Sequence, residues 1–361
     1  MRRLLAHELF LPFLLALASR VLFSCALLAG AMDAPVPAGA AEGSLAGRAF
    51  LAWDGWWYAS IATTGYHAAP VIDGYHDVAF FPLWPALLAV GTTVLPVAVA
   101  AALLANGLFV VAILVAYRAF APTFGRERTL GGLALLAFGP AAYVFSLGYS
   151  ESLFLLLVAL AFVPALRRPR PGVAFLASLT RLTGPALSAM ALAGPLTERR
   201  RPTRDELALL VAGPLAFVAW CAAIAGITGD PLGYLRGSPS WYAGTGLPTG
   251  ALSFVAPLVI PQEAALRLVA GVGLALPLLG TLVLLRERRW EMAAYCIAAL
   301  IPTLLFATWS SMPRHALVAL PAFIALVPAT PRRAQLGVTV ALLALVATWL
   351  ALLTVDLAIT P

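Results

Sequence analysis

The stretch VAVAAALLANGLFVVAILVAYR, residues 97–118, holds 21 consecutive uncharged residues followed by an arginine. An α-helix of about 20 apolar residues spans the hydrocarbon core of a bilayer, which is about 30 Å thick. Similar runs fill the chain, because 62% of its 361 residues are hydrophobic and 11% are charged. Soluble domains have about 25% charged residues. The composition therefore predicts an all-α polytopic membrane protein and excludes a disordered chain, a coiled coil and a nucleic-acid-binding module.

Apolar runs long enough to cross a bilayer as helices occur at eight places. They are 9–31, 97–117, 129–147, 151–166, 206–228, 265–285, 291–309 and 334–355. Three further stretches are less regular: 79–95 contains several prolines, 171–197 is broken around Arg181 and Gly184-Pro185, and 313–328 is short.

Arginine clusters between the apolar runs predict which stretches cross. All 23 basic residues are arginines, and 17 of them lie in six clusters. The clusters are Arg2/Arg3, Arg118/Arg126/Arg128, Arg167/Arg168/Arg170, Arg199/Arg200/Arg201/Arg204, Arg286/Arg288/Arg289 and Arg332/Arg333. Such clusters favour the cytoplasmic side. All six clusters lie on one side only under three conditions. The stretch 79–95 lies in the membrane surface without crossing, and 171–197 enters the membrane and returns to the same side as two half-length helices. The stretch 313–328 crosses the membrane. The pattern thus predicts about eleven transmembrane segments, with a cytoplasmic N-terminus and an external C-terminus.

This topology predicts a single integral membrane domain over 1–361. A large first external loop with juxtamembrane helices covers 32–96, and the helical membrane core covers 97–197 and 205–356. Arg2 and Arg3 before the first apolar run are also compatible with a cleaved signal peptide, which leaves the orientation of the remaining chain unchanged.

Charged and ionisable residues outside the arginine clusters gather on the predicted external face. Keeping such groups beside membrane segments is costly, which makes them candidates for function. They are Asp54, Asp73, His76, Asp77, Glu151, Arg181, Asp230, Arg236, Arg314 and His315.

The first external loop contains a predicted interfacial helix. Phe50, Trp53, Trp57 and Ile61 recur at helical spacing, and Gly65 is suited to end the helix. An aromatic stripe of this kind lies at headgroup depth and holds Asp54 and Tyr58 at the boundary between water and lipid. The alternative is an aromatic anchor on which Asp54 is simply solvated.

The other candidates occur at predicted helix ends. Glu151 begins a helix, where it either projects into the cavity of Asp54 or complements the helix dipole. Arg181 lies at the half-helix junction, where its guanidinium requires a carboxylate or a phosphate. Arg314 either makes a second such contact or snorkels to the surface. His315 is a ligand, a base or a structural histidine.

Several motifs together resemble the phosphatidylinositol-glycan class V (PIG-V) mannosyltransferases, which belong to the GT-C glycosyltransferases. They are Trp53-Asp54 with Gly65-Tyr66, Ala79-Phe-Phe-Pro-Leu-Trp-Pro85, Tyr149-Ser-Glu-Ser152, Thr180-Arg181 and Pro313-Arg314, in order over nearly the whole chain. The segment Thr180-Arg181-Leu-Thr-Gly184 departs mildly from the family's pattern of arginine and glycine.

The resemblance implies a GT-C-type fold and an inverting transfer of mannose from a polyprenyl-phosphate carrier to a lipid-linked or glycolipid acceptor on the non-cytoplasmic face. It implies Asp54 as the catalytic base and Glu151 as a second acid. Arg181 and Arg314 suit the donor phosphate because arginine binds phosphate in a bidentate manner. Trp53, Trp57, Tyr58, Tyr66, Asp77 and His315 are the further substrate-binding candidates.

Partners, cofactors and location follow from the same expectation. The partners are the polyprenyl-phosphate-linked donor, the acceptor and membrane lipids, without nucleic acid. Asp54 and Glu151 could also hold Mg²⁺ or Mn²⁺, which leaves metal use open. The lysine-free, alanine-rich composition is typical of a high-GC bacterium, so we expect a multi-pass protein of the plasma membrane with an external active site. A transporter or flippase, which also uses broken helices, and a non-catalytic subunit remain alternatives.

Overall fold

A computed structural model describes residues 2–33, 43–72, 74–164, 170–237, 261–307 and 311–355. Asp73, Arg167 and Arg168 from the predictions above lie outside these ranges. The described residues form helices and loops, with one isolated bridge between Ile72 and Tyr75. The prediction of an all-α protein is confirmed.

The α-helices follow one another along the chain. They are α1 Arg2–Asp33, α2 Leu45–Phe50, α3 Asp54–Thr64, α4 Leu83–Thr92, α5 Val97–Phe124, α6 Arg126–Ala137, α7 Glu151–Ala161, α8 Arg170–Ser178, α9 Ala193–Glu198, α10 Arg204–Thr228, α11 Gly233–Gly237, α12 Pro261–Arg286, α13 Trp290–Phe306, α14 Met312–Ala316, α15 Leu320–Leu326 and α16 Arg333–Val355. Short 3₁₀ helices occupy Asp77–Ala79, Ala142–Ser146 and Gly184–Leu192.

Within the described ranges, five helices are long and apolar enough to cross a membrane. They are Glu8–Met32, Val97–Phe124, Arg204–Thr228, Arg267–Arg286 and Arg333–Val355. Three shorter apolar helices are Leu83–Thr92, Glu151–Ala161 and Trp290–Leu305. The chain is thus a multi-pass membrane protein by helix length and composition, and the predicted count of about eleven crossings is not reproduced.

Several predicted spans are interrupted, mainly at proline. The run 129–147 is not one helix, because α6 ends before Gly139-Pro140 and proline cannot continue the hydrogen-bond ladder. The run 313–328 splits into α14 and α15, the latter with Pro321 in its first turn. The run 151–166 forms an α7 of 11 residues, and such a helix is only about 17 Å long.

Two of the irregular stretches form no single helix long enough to cross, as predicted. Residues 79–95 form α4, whose 10 residues make a helix about 15 Å long, too short to cross. In 171–197 the helix α8 ends at Ser178, and the chain resumes as a 3₁₀ helix at Gly184. The predicted break at Arg181 to Pro185 is therefore present.

The predicted interfacial helix is also divided. Helix α2 ends at Phe50, and α3 begins only at Asp54, with a turn at Leu51 to Trp53 between them. Gly65 ends α3 as predicted, with a φ of 82° and its N–H donating to the carbonyl of Ile61.

The long helices run between two chemically different ends of the bundle. At one end Arg128 forms an ion pair of 2.7 Å with Glu287, and Arg333 pairs with Glu127. We call this the basic end. At the opposite end of α16 the carbonyl of Thr354 accepts from the Trp53 indole. We call this second end the site end. The structure therefore separates the arginine clusters near 128, 287 and 333 from the first loop, and the side on which each end lies stays a prediction.

The core surrounds α5, α7 and α15. Helix α5 packs on α7, α1 packs on α16, and α15 packs against α12 and α6. At Gly280 of α12 the backbone of Ala322 approaches so closely that a Cβ atom has no room. This packing keeps α14, which directly precedes α15, at a defined height beside α12.

Candidate functional site

Four segments that are distant in the chain meet at the site end. The N-terminus of α3 supplies Asp54, the first turn of α7 supplies Glu151, the junction after α8 supplies Arg181, and α14 supplies Arg314 with His315. We refer to Asp54, Glu151, Arg181 and Arg314 as the four-charge cluster.

Three ion pairs connect the four-charge cluster. A nitrogen of Arg181 lies 2.7 Å from Oε1 of Glu151, and Nη2 of Arg314 lies 2.7 Å from Oδ2 of Asp54. The Nε of Arg314 is also 3.4 Å from Oε1 of Glu151. Arg314 therefore contacts both carboxylates, and the predicted pairing of Arg181 with a carboxylate or a phosphate is met here by a carboxylate.

The cluster is buried except at Asp54. The side chain of Glu151 is 2% exposed and those of both arginines are 9% exposed, whereas Asp54 is 25% exposed. Only Asp54 thus presents a substantial part of its charged group to an incoming molecule.

The Glu151 carboxylate interacts with its neighbours through ion pairs rather than hydrogen bonds. Neither of its carboxylate oxygens has a partner with hydrogen-bond geometry, and its contact with Arg181 is an ion pair. A buried carboxylate requires compensation, which here comes from two guanidinium groups.

The charges of the cluster cancel, because two guanidinium groups face two carboxylates. Burial lowers the pKa of Arg314, but the carboxylates of Asp54 and Glu151 outweigh burial and raise it above its ordinary value. The guanidinium of Arg314 also lies 5.1 Å from the ring centre of Tyr149, within cation–π range. Arg314 is therefore a permanent cation in this site.

His315 is held in one neutral form beside the cluster. Burial lowers its pKa well below the ordinary value, and the cations of Arg314 and Arg181 lower it further. Its Nδ1 lies 3.2 Å from a nitrogen of Arg181, which can only donate. Nδ1 is thus the acceptor, and the proton of the neutral ring resides on Nε2.

A hydroxyl chain extends the cluster towards α3. Arg181 donates to the Ser150 hydroxyl at 3.2 Å, and that hydroxyl lies 3.0 Å from the hydroxyl of Tyr58. Burial raises the pKa of Tyr58. Tyr58 therefore remains a neutral hydroxyl connected to Arg181 through Ser150.

Backbone contacts fix the turn that carries Glu151. The N–H of Gly148 donates to the carbonyl of Phe50 at 2.7 Å, and the indole of Trp84 donates to the Gly148 carbonyl at 2.9 Å. A Cβ atom at Gly148 would lie 3.1 Å from the Phe50 carbonyl oxygen. The first loop and the α7 turn are thus connected directly.

The residue before Asp54 has a strained backbone. Trp53 has φ 53° and ψ −117°, a combination that non-glycine residues rarely adopt. The N–H of Gly55 donates to the Ala52 carbonyl at 3.1 Å, closing a tight turn, and the Trp53 indole donates to the carbonyl of Thr354 at 3.2 Å. Contacts with α16 therefore hold the start of α3 and the Asp54 carboxylate in place.

The remaining predicted residues lie together in the first loop, outside the ion pairs. Trp57 stacks on Phe80 with ring centres 5.7 Å apart, and the Tyr66 hydroxyl donates to the Phe80 carbonyl at 2.7 Å. Asp77 is buried between His67, at 2.8 Å, and His76, at 3.0 Å. In the described part of the chain the Asp77 carboxylate contacts these two imidazoles and neither arginine of the cluster.

Sequence reasoning assigned no role to four residues of this environment. Tyr149 and Ser150 stand directly before Glu151, and hydroxyl-bearing neighbours of an acid at a helix start were the available signal. His67 follows Tyr66 directly. Thr354 gave no signal, because it acts through its backbone carbonyl.

The cluster does not fit a metal ion bound by Asp54 and Glu151. The described residues contain no group of three or more His, Cys, Asp or Glu side chains placed to hold a metal. Arg314 contacts both carboxylates and repels a second cation at that position. The chemistry below is therefore assigned to the side chains alone.

Comparison with known proteins gives little similarity. No family model and no curated protein matches the chain. Among solved structures, the oligosaccharyltransferase of Archaeoglobus fulgidus in its apo form is similar with a TM-score of 0.48 and 12% identity, over 95% of this chain and 56% of the archaeal chain. The chain thus spans little more than half of that protein, and a similarity this low assigns neither a family nor an activity.

Proposed function

We propose that this protein is an inverting GT-C-type mannosyltransferase of the PIG-V type. In this proposal it transfers mannose from polyprenyl-phosphate mannose to a lipid-linked or glycolipid acceptor at the outer face of a bacterial plasma membrane. The proposal combines the resemblance of the motifs with the geometry of the site. The single observation that carries it is the four-charge cluster, in which the partly exposed carboxylate of Asp54 directly faces the buried Arg314, and buried Glu151 connects Arg314 to Arg181.

Asp54 is the base in this mechanism. Its carboxylate is the accessible one, so it can meet the hydroxyl of an acceptor, whereas Glu151 is 2% exposed. Asp54 takes the proton of the acceptor hydroxyl, and the oxygen forms a bond to the anomeric carbon from the face opposite the phosphate. The bond between that carbon and the phosphate oxygen breaks, and the phosphate leaves with the electron pair. The anomeric configuration is thereby inverted.

Arg314 and Arg181 stabilise the leaving phosphate. Both are cations fixed in a buried site, where preorganised charge stabilises a developing anion more strongly than in water. Glu151 positions the two guanidinium groups because it pairs with each of them. His315 presents its Nε2 proton as a further donor, and its orientation is held by Arg181.

The first loop supplies the sugar-binding surface in this proposal. Trp53, Trp57 and Tyr66 are partly exposed and offer their ring faces to the sugar, while the buried Tyr58 supports this surface from below. Tyr58 is connected to Arg181 through Ser150. Asp77 organises the loop through His67 and His76.

The position of the cluster favours an enzyme over a transporter. Asp54, Glu151, Arg181 and Arg314 lie outside the five candidate spans and together at one end of the bundle. A transporter with alternating access more often places its binding residues near the membrane midplane. The basic end, with Arg128 and Arg333, lies at the other ends of the long helices, which supports an external site by the positive-inside rule.

Transfer of radiolabelled mannose tests this function directly. Polyprenyl-phosphate mannose and total membrane lipids from the source cells are incubated with the full-length protein, with Asp54→Asn and with Asp230→Asn. General base catalysis contributes about 10²-fold or more, so we expect Asp54→Asn to lose at least that factor. Asp230 is a matched control, because it pairs with Arg236 at 2.8 Å and is 28% exposed, but lies outside the cluster.

Each result has a separate meaning. Loss with Asp54→Asn and full transfer with Asp230→Asn support the mechanism. Equal transfer by all three proteins would exclude Asp54 as the base. No transfer by any folded protein would exclude the donor.

A further inference from the structure

The Asp54 carboxylate occupies the place where the proposed function requires a phosphate. Nη2 of Arg314 lies 2.7 Å from Oδ2 of Asp54, while its Nε faces Glu151 at 3.4 Å. The Nη2 side of the Arg314 guanidinium is thus already occupied by Asp54, the proposed base. A carboxylate and a phosphate are competing ligands for the same planar donor group.

The two carboxylates differ in their freedom to leave Arg314. Glu151 is 2% exposed and also pairs with Arg181 at 2.7 Å. Asp54 is 25% exposed, and among the described residues it forms an ion pair with Arg314 alone. An anion that enters from the open side therefore meets the pair of Asp54 and Arg314 and can replace only Asp54.

We propose that the donor phosphate displaces Asp54 from Arg314, and that this exchange releases the carboxylate to act as the base. The inference rests on the proposed function and adds the order of events. No covalent bond changes in this step, because one ion pair replaces another. The cluster is neutral before the exchange and carries one excess negative charge when a phosphodiester has entered.

The exchange has a chemical consequence for the order of binding. While the site lacks donor, the ion pair of 2.7 Å with Arg314 occupies the Asp54 carboxylate. After the exchange, the carboxylate is released from Arg314 and is free to meet the hydroxyl of the acceptor. The base is thus active only when the donor is in place, and an acceptor or a water molecule that arrives first is not deprotonated.

Binding of a phosphate-bearing lipid separates this idea from ordinary catalysis. The probe is farnesyl phosphate, titrated calorimetrically into the purified full-length protein in detergent, with farnesol as the uncharged control. Asp54→Asn removes the competing charge and keeps the size of the side chain. We expect Asp54→Asn to bind farnesyl phosphate about tenfold more tightly than the wild type. A change of this size is larger than the effect of an exposed ion pair and smaller than that of a fully buried one. Farnesol should bind both proteins equally.

Further variants identify the site of competition. Asp230→Asn, which neutralises an aspartate of similar exposure outside the cluster, should bind farnesyl phosphate as the wild type does. Arg314→Gln should lose most of the affinity, and Asp54→Asn should no longer improve it in that background. Asp54→Ala serves as a second substitution, and melting temperatures verify that each variant is folded.

The outcomes distinguish this inference from the proposed function. Unchanged or weaker binding by Asp54→Asn, with measurable wild-type binding, overturns the exchange and leaves the mannosyltransferase intact. No binding of farnesyl phosphate by any folded variant overturns the donor class together with the exchange. Phosphatidylglycerol is titrated in the same way. If Asp54→Asn binds this lipid more tightly than the wild type does, but binds farnesyl phosphate no more tightly, Arg314 binds a lipid headgroup, and the exchange with a donor is overturned.

Discussion

Replacing Glu151 by glutamine tests whether the buried arginines depend on this carboxylate for stability. Glu151 is 2% exposed and lies 2.7 Å from Arg181 and 3.4 Å from Arg314. Glutamine has nearly the same shape, so the substitution removes one negative charge and leaves the volume unchanged. One buried cation is then left uncompensated.

The expected loss of stability follows from the geometry. At an effective dielectric constant of about 20, two unit charges about 4 Å apart interact by about 4 kcal/mol. Two effects offset part of this energy. The glutamine amide oxygen can still accept hydrogen bonds from the guanidinium groups, and the protein no longer bears the cost of burying a charged carboxylate. Breaking a buried ion pair on one side costs about 3–5 kcal/mol, and we expect Glu151→Gln to lie in this range.

Thermal unfolding with a thiol-reactive fluorogenic dye measures the effect. All proteins compared carry Cys25→Ser and Cys221→Ser, because these thiols are exposed or partly exposed, whereas Cys296 is fully buried and becomes reactive only on unfolding. We expect the melting temperature of Glu151→Gln to fall by about 5–10 °C. Glu127→Gln is the control, because Glu127 is 50% exposed and its partner Arg333 is 84% exposed. Such a surface pair contributes about 1 kcal/mol or less.

A double variant separates charge balance from packing. Glu151→Gln with Arg181→Gln restores neutrality, since Asp54 and Arg314 remain as one pair. We expect the double variant to be more stable than the sum of the single substitutions indicates. A melting temperature of Glu151→Gln as close to the wild type as that of Glu127→Gln would refute the reasoning.

Two further predictions concern neighbours of the cluster. The folded state holds the pKa of His315 well below its ordinary value of 6.5, so below about pH 6.5 the unfolded chain binds a proton that the folded chain does not. Stability should fall as the pH decreases from 7 to 5, by up to about 1.4 kcal/mol per pH unit for this group, and melting curves of His315→Gln should lack that part of the pH dependence. Tyr58→Phe removes the hydroxyl that lies 3.0 Å from Ser150 and should cost about 1 kcal/mol of stability, while its affinity for farnesyl phosphate stays that of the wild type. Weaker binding by Tyr58→Phe would instead place this hydroxyl on the phosphate.

The residues of the four-charge cluster were predictable from the sequence because of the cost of charge in a membrane. The alternation of spans placed Asp54, Glu151, Arg181 and Arg314 on one side, beside membrane segments where charge is costly. Their meeting at one end of the bundle agrees with that prediction. Their catalytic and binding roles stay predictions.

The partners within the cluster were beyond the reach of the sequence. Arg181 and Arg314 are chemically equivalent in the pattern, and only the fold places Arg314 on both carboxylates and Arg181 on Glu151 alone. The sequence pattern also gave no indication of the break between α2 and α3 at Trp53. Its positive φ accompanies an indole hydrogen bond to Thr354, about 300 positions away, and such tertiary contacts override the local helical pattern.

The lengths of several helices could not be predicted for a related reason. A hydrophobic run shows that a segment avoids water, but it does not distinguish one crossing helix from two short helices buried among others. Gly139-Pro140 ends α6 inside such a run, and Pro321 begins a new helix inside another. Counting runs therefore gives about eleven segments, whereas five helices of the described residues are long and apolar enough to cross.

The pairing of Asp54 with Arg314 has a consequence for how the protein is made. Glu151 and Arg181 are neighbours in synthesis, and their ion pair can form as soon as α8 has emerged. Asp54 must wait for 260 further residues, which at about 5–20 residues per second takes roughly 13 to 50 s. The Trp53 indole waits longer still, for the end of α16. Asp54 therefore acquires its counter-ion only after α14 has been made, so helices far along the chain complete the loop that follows α1.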